Sequence, residues 1–268
     1  ERTMEINPGL SSTTKLNSIK QLGINRVSIG TQSFNDKELL FLGRQHRVAQ
    51  NIKCVESIKA VGFEQFSLDI MYGLPQSSVS SLTETIEESL VLEPDHLSTY
   101  ALSIEPDTAF NRRNVSPVHE DVEIQQFETI LELCKDKGFN QYEISNFAKP
   151  NKECRHNLRY WNCQPVIGLG PGAHSFFQDA LYKNSRSMNS YITLKRPKVF
   201  DYKKWPLLTR KKRIEQFMLC RLRLIAPILL EELNKVYKVD FKTHYRSQLD
   251  QLISLELAVV SVRYFELT

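Results

Sequence analysis

The sequence predicts an α/β protein, a parallel sheet curled into a barrel or part-barrel and followed by a small, mainly helical domain. Three observations carry this. Short apolar runs alternate with longer helical patterns at intervals of roughly 25–45 residues, the mark of repeated βα units. Glu5, Gln32, Asp69 and Tyr100 each stand in or just past the C-terminal half of a strand-like run. The pattern then changes from about Tyr202 onward, where helical stripes replace the alternation. An open doubly wound sheet shares the first observation, but the second favours a barrel, whose strand ends converge on one mouth. Any one strand end is polar simply because the chain emerges into water there. Recurrence on separate strands favours a shared site.

Along the chain, Thr3 to Asn7 reads as a strand closed by Pro8-Gly9. Ser11 or Ser12 is placed to cap a helix running to Leu22, and Gly23 ends it. Arg26 to Gly30 is the next strand, followed by helical patterns over Asp36–Leu42 and Ala49–Val61, with Gly62 as a second C-terminal cap. Phe66 to Met71 is a strand, Ser80 to Leu92 a helix and Leu97 to Leu102 a strand. Asp121 to Lys137 is a long amphipathic helix stopped by Gly138, and Gln141 to Ser145 is a further strand. The domains are expected over 1–193 and 202–268, with a linker at 194–206. In the second, Lys211–Leu224, Leu229–Tyr237 and Phe241–Leu255 read as helices and Val259–Phe265 as a strand or hairpin arm. That order suggests a winged-helix-like domain. Such domains often bind DNA, but this one lacks a strongly basic second or third helix, so packing is its expected role.

Composition excludes several classes. The 268 residues are 41% hydrophobic and 25% charged, ordinary for a globular protein. No run approaches the roughly 18–20 apolar residues of a membrane helix. The net charge of +4 is mild, and the basic run Arg210 to Arg213 reads as a solvated helix start rather than a nucleic-acid patch. Cysteines at 54, 134, 154, 163 and 220 are odd in number and irregular in spacing, which argues against a disulfide framework and for a reducing, cytoplasmic compartment.

Motifs sharpen the reading. Arg26-Val27-Ser28-Ile29-Gly30-Thr31-Gln32-Ser33-Phe34, then Leu42-Gly43-Arg44, then Asp69-Ile70-Met71-Tyr72-Gly73-Leu74-Pro75 stand in order behind Glu5-Ile6-Asn7-Pro8-Gly9. This series resembles the core of the radical S-adenosylmethionine family that includes oxygen-independent coproporphyrinogen III oxidase and the HemW-type heme chaperones. The resemblance covers nearly the whole chain. It implies a partial (β/α)6 barrel entered at its third strand. It also implies S-adenosylmethionine contacts at Glu5, Gln32, Arg44, Asp69, Tyr100 and Ala101. The chemistry is compatible. Glu5 and Asp69 can accept from ribose hydroxyls or the ammonium, Gln32 offers a donor and an acceptor, and Arg44 can fork onto the carboxylate. Ala101 leaves room for the flat purine. Without the resemblance, Arg44 would read as a surface cation at a helix end.

Cys154-Arg155-His156-Asn157-Leu158-Arg159-Tyr160-Trp161 is the second motif. Its H-N-x-x-Y-W element resembles the HemW type, where it is implicated in heme contact, and is lacking from true coproporphyrinogen oxidases. The implied heme set is His156, a possible iron ligand, with Cys154, Tyr160 and Trp161. Taken alone, a single histidine is more often structural, and the aromatic pair serves domain packing equally well. A third segment, Gly168-Leu169-Gly170-Pro171-Gly172-Ala173-His174-Ser175, resembles a family element at the barrel's end. It is a poor dinucleotide fingerprint, because Pro171 removes a donor.

The family's C-x-x-x-C-x-x-C loop, whose thiolates hold a 4Fe-4S cluster, has no counterpart in these 268 residues. The G-G-G-T-P segment is missing too. Both precede Glu5 in relatives, so the chain is expected to be a fragment, and its end at Thr268 falls where relatives continue. The resemblance implies a heme-binding chaperone that delivers heme to acceptor proteins. The competing reading is a coproporphyrinogen oxidase that decarboxylates propionates to vinyls by radical chemistry, and H-N-x-x-Y-W favours the first. DNA binding through the C-terminal domain is disfavoured by the modest charge.

Overall fold

The computed structural model describes residues 1–10, 12–193 and 203–268. They form two compact units, Glu1–Cys154 and Arg155–Thr268. Residues 155–193, expected with the barrel, fall in the second unit. The expected linker over 194–206 lies outside the described residues as far as position 202.

The first unit is a six-stranded sheet with helices on one face. Its strands are β1 (Thr3–Ile6), β2 (Arg26–Gln32), β3 (Gln65–Tyr72), β4 (His96–Ala101), β5 (Asn140–Glu143) and β6 (Asn146–Ala148), in the order β1-β2-β3-β4-β6-β5. β1 to β4 are parallel neighbours. The helices are α1 (Thr13–Gln21), α2 (Asp36–Phe41), α3 (Val48–Val61), α4 (Val79–Val91), α5 (Ala109–Arg112) and α6 (Glu120–Asp136). Local chemistry sets their ends. Ser12 caps α1 by accepting from Lys15 N–H, and Ser78 caps α4 by accepting from Ser81 N–H. Gly62 ends α3 at φ +77°, a left-handed conformation open to glycine at no steric cost.

Strand alternation sorts the two faces of the sheet. Val27, Ile29, Phe66, Leu68, Ile70, Leu97 and Phe147 pack against Leu16, Val55, Ile58, Leu82, Ile86 and Ile130 of the helices. Each fully buried aliphatic side chain contributes roughly 1.5–3 kcal/mol. The opposite face carries the alternate positions, which are polar: Arg26, Ser28, Ser67, Asp69, His96, Ser98 and Asn146.

One element departs from expectation. Instead of a single strand over 141–145 continuing the parallel series, β6 inserts between β4 and β5, antiparallel to both. Glu143 drives the reversal. It is fully buried and accepts from Ser145 N–H and from the Asn146 amide, which closes the turn.

In the second unit, α7 (Arg155–Trp161) precedes a hairpin of β7 (His174–Phe177) and β8 (Ala180–Lys183), then α8 (Met188–Ile192). Beyond the undescribed stretch come α9 (Arg210–Arg221), β9 (Ile228–Leu229), α10 (Leu230–Tyr237), α11 (Phe241–His244), α12 (Arg246–Ser254), β10 (Ala258–Val260) and β11 (Tyr264–Leu267). The last two strands form a hairpin that β11 ties to β9, the winged-helix order, over a core of Ile228, Leu233, Phe241, Leu249 and Phe265. The helix expected over 241–255 is two helices broken at Tyr245, whose ring packs on Phe241. No helix among the described residues is long and apolar enough to cross a membrane.

Candidate functional site

The C-terminal ends of β1 to β4 gather polar groups in two adjoining sets. The first centres on Asp69 of β3. Ser28 Oγ, from β2, donates to Asp69 Oδ1 at 2.9 Å, and Ser98, opposite Asp69 on β4, donates as well. Burial raises the Asp69 carboxyl to about 6, nearby Glu5 adds to the rise, and the two serine donors and Arg26 oppose it. Tyr100, 43% exposed, stands above Ser98, with which it hydrogen-bonds. Burial of its hydroxyl and the Asp69 carboxylate push its phenol above the usual range, making it a weaker acid. Glu5, Asp69 and Tyr100 therefore lie within one electrostatic neighbourhood.

The second set surrounds Asn7. Gln32 ends β2 at φ +66°, a left-handed conformation uncommon for a side chain with a Cβ, beside a register shift in the β2–β3 pairing. Such strain persists only where surroundings enforce it, and it concentrates at ligand sites. The Gln32 amide lies over Gly30, where an added Cβ would come within 2.8 Å of Nε2 and 3.5 Å of Asn7 Oδ1. Arg44 Nη1 reaches the same Asn7 Oδ1 at 3.5 Å. A cavity of about 370 Å³ opens here, lined by Asn7, Gly9, Gly43, Arg44, His46 and Gln50. Ala101 ends β4 opposite Tyr72, half-buried. All six residues expected at the S-adenosylmethionine site thus sit at the C-terminal ends of β1–β4 or in the loop after α2.

Sequence reasoning passed over the layer beneath. His96 Nδ1 bonds Ser67 Oγ and its Nε2 bonds the Tyr142 hydroxyl, both at 2.8 Å. Burial and the Arg26 charge hold this imidazole well below its usual range, so it is neutral. Arg26 is only 3% exposed, and its Nε has no hydrogen-bond partner among the described residues. The available signal was the two-residue alternation of Arg26/Ser28, Ser67/Asp69 and His96/Ser98 with the apolar Val27, Phe66, Leu68 and Leu97.

The H-N-x-x-Y-W segment forms α7. His156 and Tyr160, four residues apart, share one face, and their rings meet edge to face at 4.9 Å. Both are exposed, as are Arg155 and Arg159. Trp161 is turned elsewhere, with the Arg223 guanidinium 4.5 Å over its ring. Cys154 belongs to the first unit, 4% exposed, its Sγ 3.7 Å from Glu1 Oε1 and its N–H on the Tyr142 hydroxyl. The glycine-rich segment spends its polar groups internally. Gly168 N–H donates to Ser175 Oγ, Gly170 N–H to Tyr191 Oη, and Asn184 donates to both glycine carbonyls. A Cβ on Gly168 would collide with the His174 carbonyl, so this glycine serves close packing. Among the described residues, no group of three or more His, Cys, Asp or Glu is arranged to hold a metal ion.

Comparison with known proteins follows the same lines. Residues 1–88 match the Radical SAM superfamily. The chain is 35% identical over 232 residues to the heme chaperone HemW of Bacillus subtilis, covering 85% of this chain and 61% of that one. It is 31% identical over 261 residues to the HemW of Lactococcus lactis, covering 96% and 68%. To the HemW of Haemophilus influenzae it is 30% identical over 271 residues, covering 100% and 70%. The chain thus spans 61–70% of these relatives' lengths. Among solved structures, the radical SAM enzyme coproporphyrinogen III oxidase (HemN) of Escherichia coli superposes with a TM-score of 0.83 at 19% identity, over 99% of this chain and 65% of that one. That likeness speaks to fold.

Proposed function

The chain belongs to the HemW family of radical SAM proteins, and from that premise we propose that it binds heme on the exposed face of α7 and passes it to acceptor proteins. The observation that carries the reading is the exposure of His156. This imidazole lies on the surface, where a ligand can reach it, with Tyr160 edge-on against it. Neutral imidazole is a common axial ligand of heme iron. Arg155 and Arg159 supply cations for the two propionates. One face of the Trp161 ring is covered by Arg223, so Tyr160 is the aromatic proposed to meet the porphyrin first. Cys154, turned into the first unit, ranks below His156 as a ligand.

The β1–β4 mouth is the proposed seat of S-adenosylmethionine, and its residues fit that zwitterion. Asn7, Gln32 and Arg44 present donors and acceptors for the amino-acid end, while Glu5 and Asp69 accept from hydroxyl or ammonium groups. The strained Gln32 backbone is the feature that fits a ligand rather than packing, and Gly30 leaves room for the Gln32 amide that would meet it. In the family this cofactor, with a 4Fe-4S cluster, supplies radical chemistry. The residues of this chain do not supply the cluster's thiolate ligands, so their part here is to bind and orient the cofactor. Titration with hemin, followed at the Soret band in wild type and His156→Ala, tests the heme assignment. Equilibrium dialysis with labelled S-adenosylmethionine tests the barrel mouth separately.

A further inference from the structure

A pair of cysteines in the second unit has no part in either site. Cys163 closes α7. Its N–H donates to Tyr160 O at 3.0 Å and Gln164 N–H to Arg159 O at 2.8 Å, the hydrogen bonds of a helix C-terminal cap. Its φ is +50°, where glycine or asparagine is the usual occupant. That backbone conformation sets the direction in which the Cys163 Cβ projects. The thiol points at α9, within 3.9 Å of the Gln216 carbonyl oxygen. In a helix that carbonyl receives the N–H of the residue four positions on, which is Cys220. The Gln216 side chain completes the arrangement, Nε2 donating to Cys220 Sγ at 3.2 Å. Both sulfurs therefore contact Gln216, one at its carbonyl and one at its side-chain amide, and they lie within interaction reach of one another. Both are reduced.

We infer that Cys163 and Cys220 form a redox-active dithiol, oxidised to a disulfide by hydrogen peroxide, that staples the end of α7 to α9. The Cys220 sulfur is favoured as the nucleophile. A bond from Cys163, one from Gln216 and the nearby Arg223 charge pull its thiol below the usual range, against the opposing effect of burial. It attacks one peroxide oxygen. An S–O bond forms, the O–O bond breaks, and the departing oxygen takes a proton and leaves as water. The Cys163 sulfur then attacks the Cys220 sulfenic sulfur. An S–S bond forms, the S–O bond breaks, and a second water leaves with the remaining thiol proton. The two thiols lose two electrons and two protons, and one peroxide accepts both. Cys134, by contrast, is buried on the apolar side of the sheet, where burial pushes its thiol up to about 12.

The test uses the full chain, reduced and then exposed to one equivalent of hydrogen peroxide, with residual thiols alkylated under denaturing conditions and peptides mapped by mass. The expected result is loss of two of the five titratable thiols, a mass lower by two hydrogens, and one linked peptide joining Cys163 to Cys220, all reversed by dithiothreitol. The variant Cys163→Ser should give no link and a dimedone adduct at Cys220. Five alkylated thiols, overoxidation of either cysteine without a link, or a link through a different cysteine would each overturn the inference. These readouts need neither heme nor S-adenosylmethionine, so failure here leaves the heme proposal standing and the reverse also holds.

Discussion

Ser28 Oγ donates a 2.9 Å hydrogen bond to Asp69 Oδ1 across adjacent strands, and the carboxyl it serves is nevertheless raised to about 6 by burial. A raised carboxyl means that the folded protein holds the proton more tightly than the unfolded chain. Stability therefore falls as pH rises from about 3.8 through about 6, and the penalty is fully present at neutral pH. The variant Asp69→Asn should be more stable than wild type at pH 7.5 by about 1–3 kcal/mol, the upper value being the full shift and the lower a discount for partial exposure. The difference should close below pH 4. Urea unfolding across this range checks the sign; a gap independent of pH would show that titration of Asp69 is not its source.

Gln32 stores backbone strain. Replacing it with glycine removes the penalty of the left-handed conformation, and Gln32→Gly should gain up to about 1 kcal/mol of stability. It should also lose affinity for S-adenosylmethionine, because the amide goes with the strain. Gly30→Ala should lose that affinity for a different reason, its Cβ displacing the Gln32 amide. Thermal unfolding with equilibrium dialysis separates the two variants: one more stable and one less, both weaker binders.

Arg223 holds Trp161 by stacking over its ring at 4.5 Å. The variant Arg223→Ala should cost about 1 kcal/mol, the range of a partly desolvated cation–π contact. It should red-shift the Trp161 emission, measured in a Trp205→Phe background. An unchanged spectrum would place Trp161 in a different environment.

A polypeptide of this sequence should not assemble a stoichiometric 4Fe-4S cluster, since no triad of ligating side chains stands together among the described residues. Anaerobic reconstitution followed by iron and sulfide analysis and absorbance near the visible charge-transfer bands decides it. A full cluster would show that cysteines spaced as these are can converge.

Much of the barrel was legible because each strand is a short apolar run bounded by glycine or proline, and each helix carries its own cap. Ser12, Gly62 and Gly138 marked ends where the backbone does turn. The β5–β6 reversal was not legible. Its cause is Glu143 folding back on Ser145 and Asn146, a buried polar contact over three residues that leaves no periodic trace. The charged members of the barrel mouth, Glu5 and Asp69, stood out at strand ends. Ser28, Ser98 and His96 did not, since a small polar residue or a lone histidine in a strand resembles pleat filler until the register brings it beside a carboxylate. The same holds for Arg223 and Trp161, distant in the chain, which meet only where the end of α7 packs beside the turn that follows α9.

Heme ligation by His156 is decided by a hemin titration of the wild-type chain beside His156→Ala and Cys154→Ala. A saturable Soret shift is expected in wild type, at least about tenfold weaker in His156→Ala, or about 1.4 kcal/mol, and nearly unchanged in Cys154→Ala. Equal affinity in wild type and His156→Ala would contradict it.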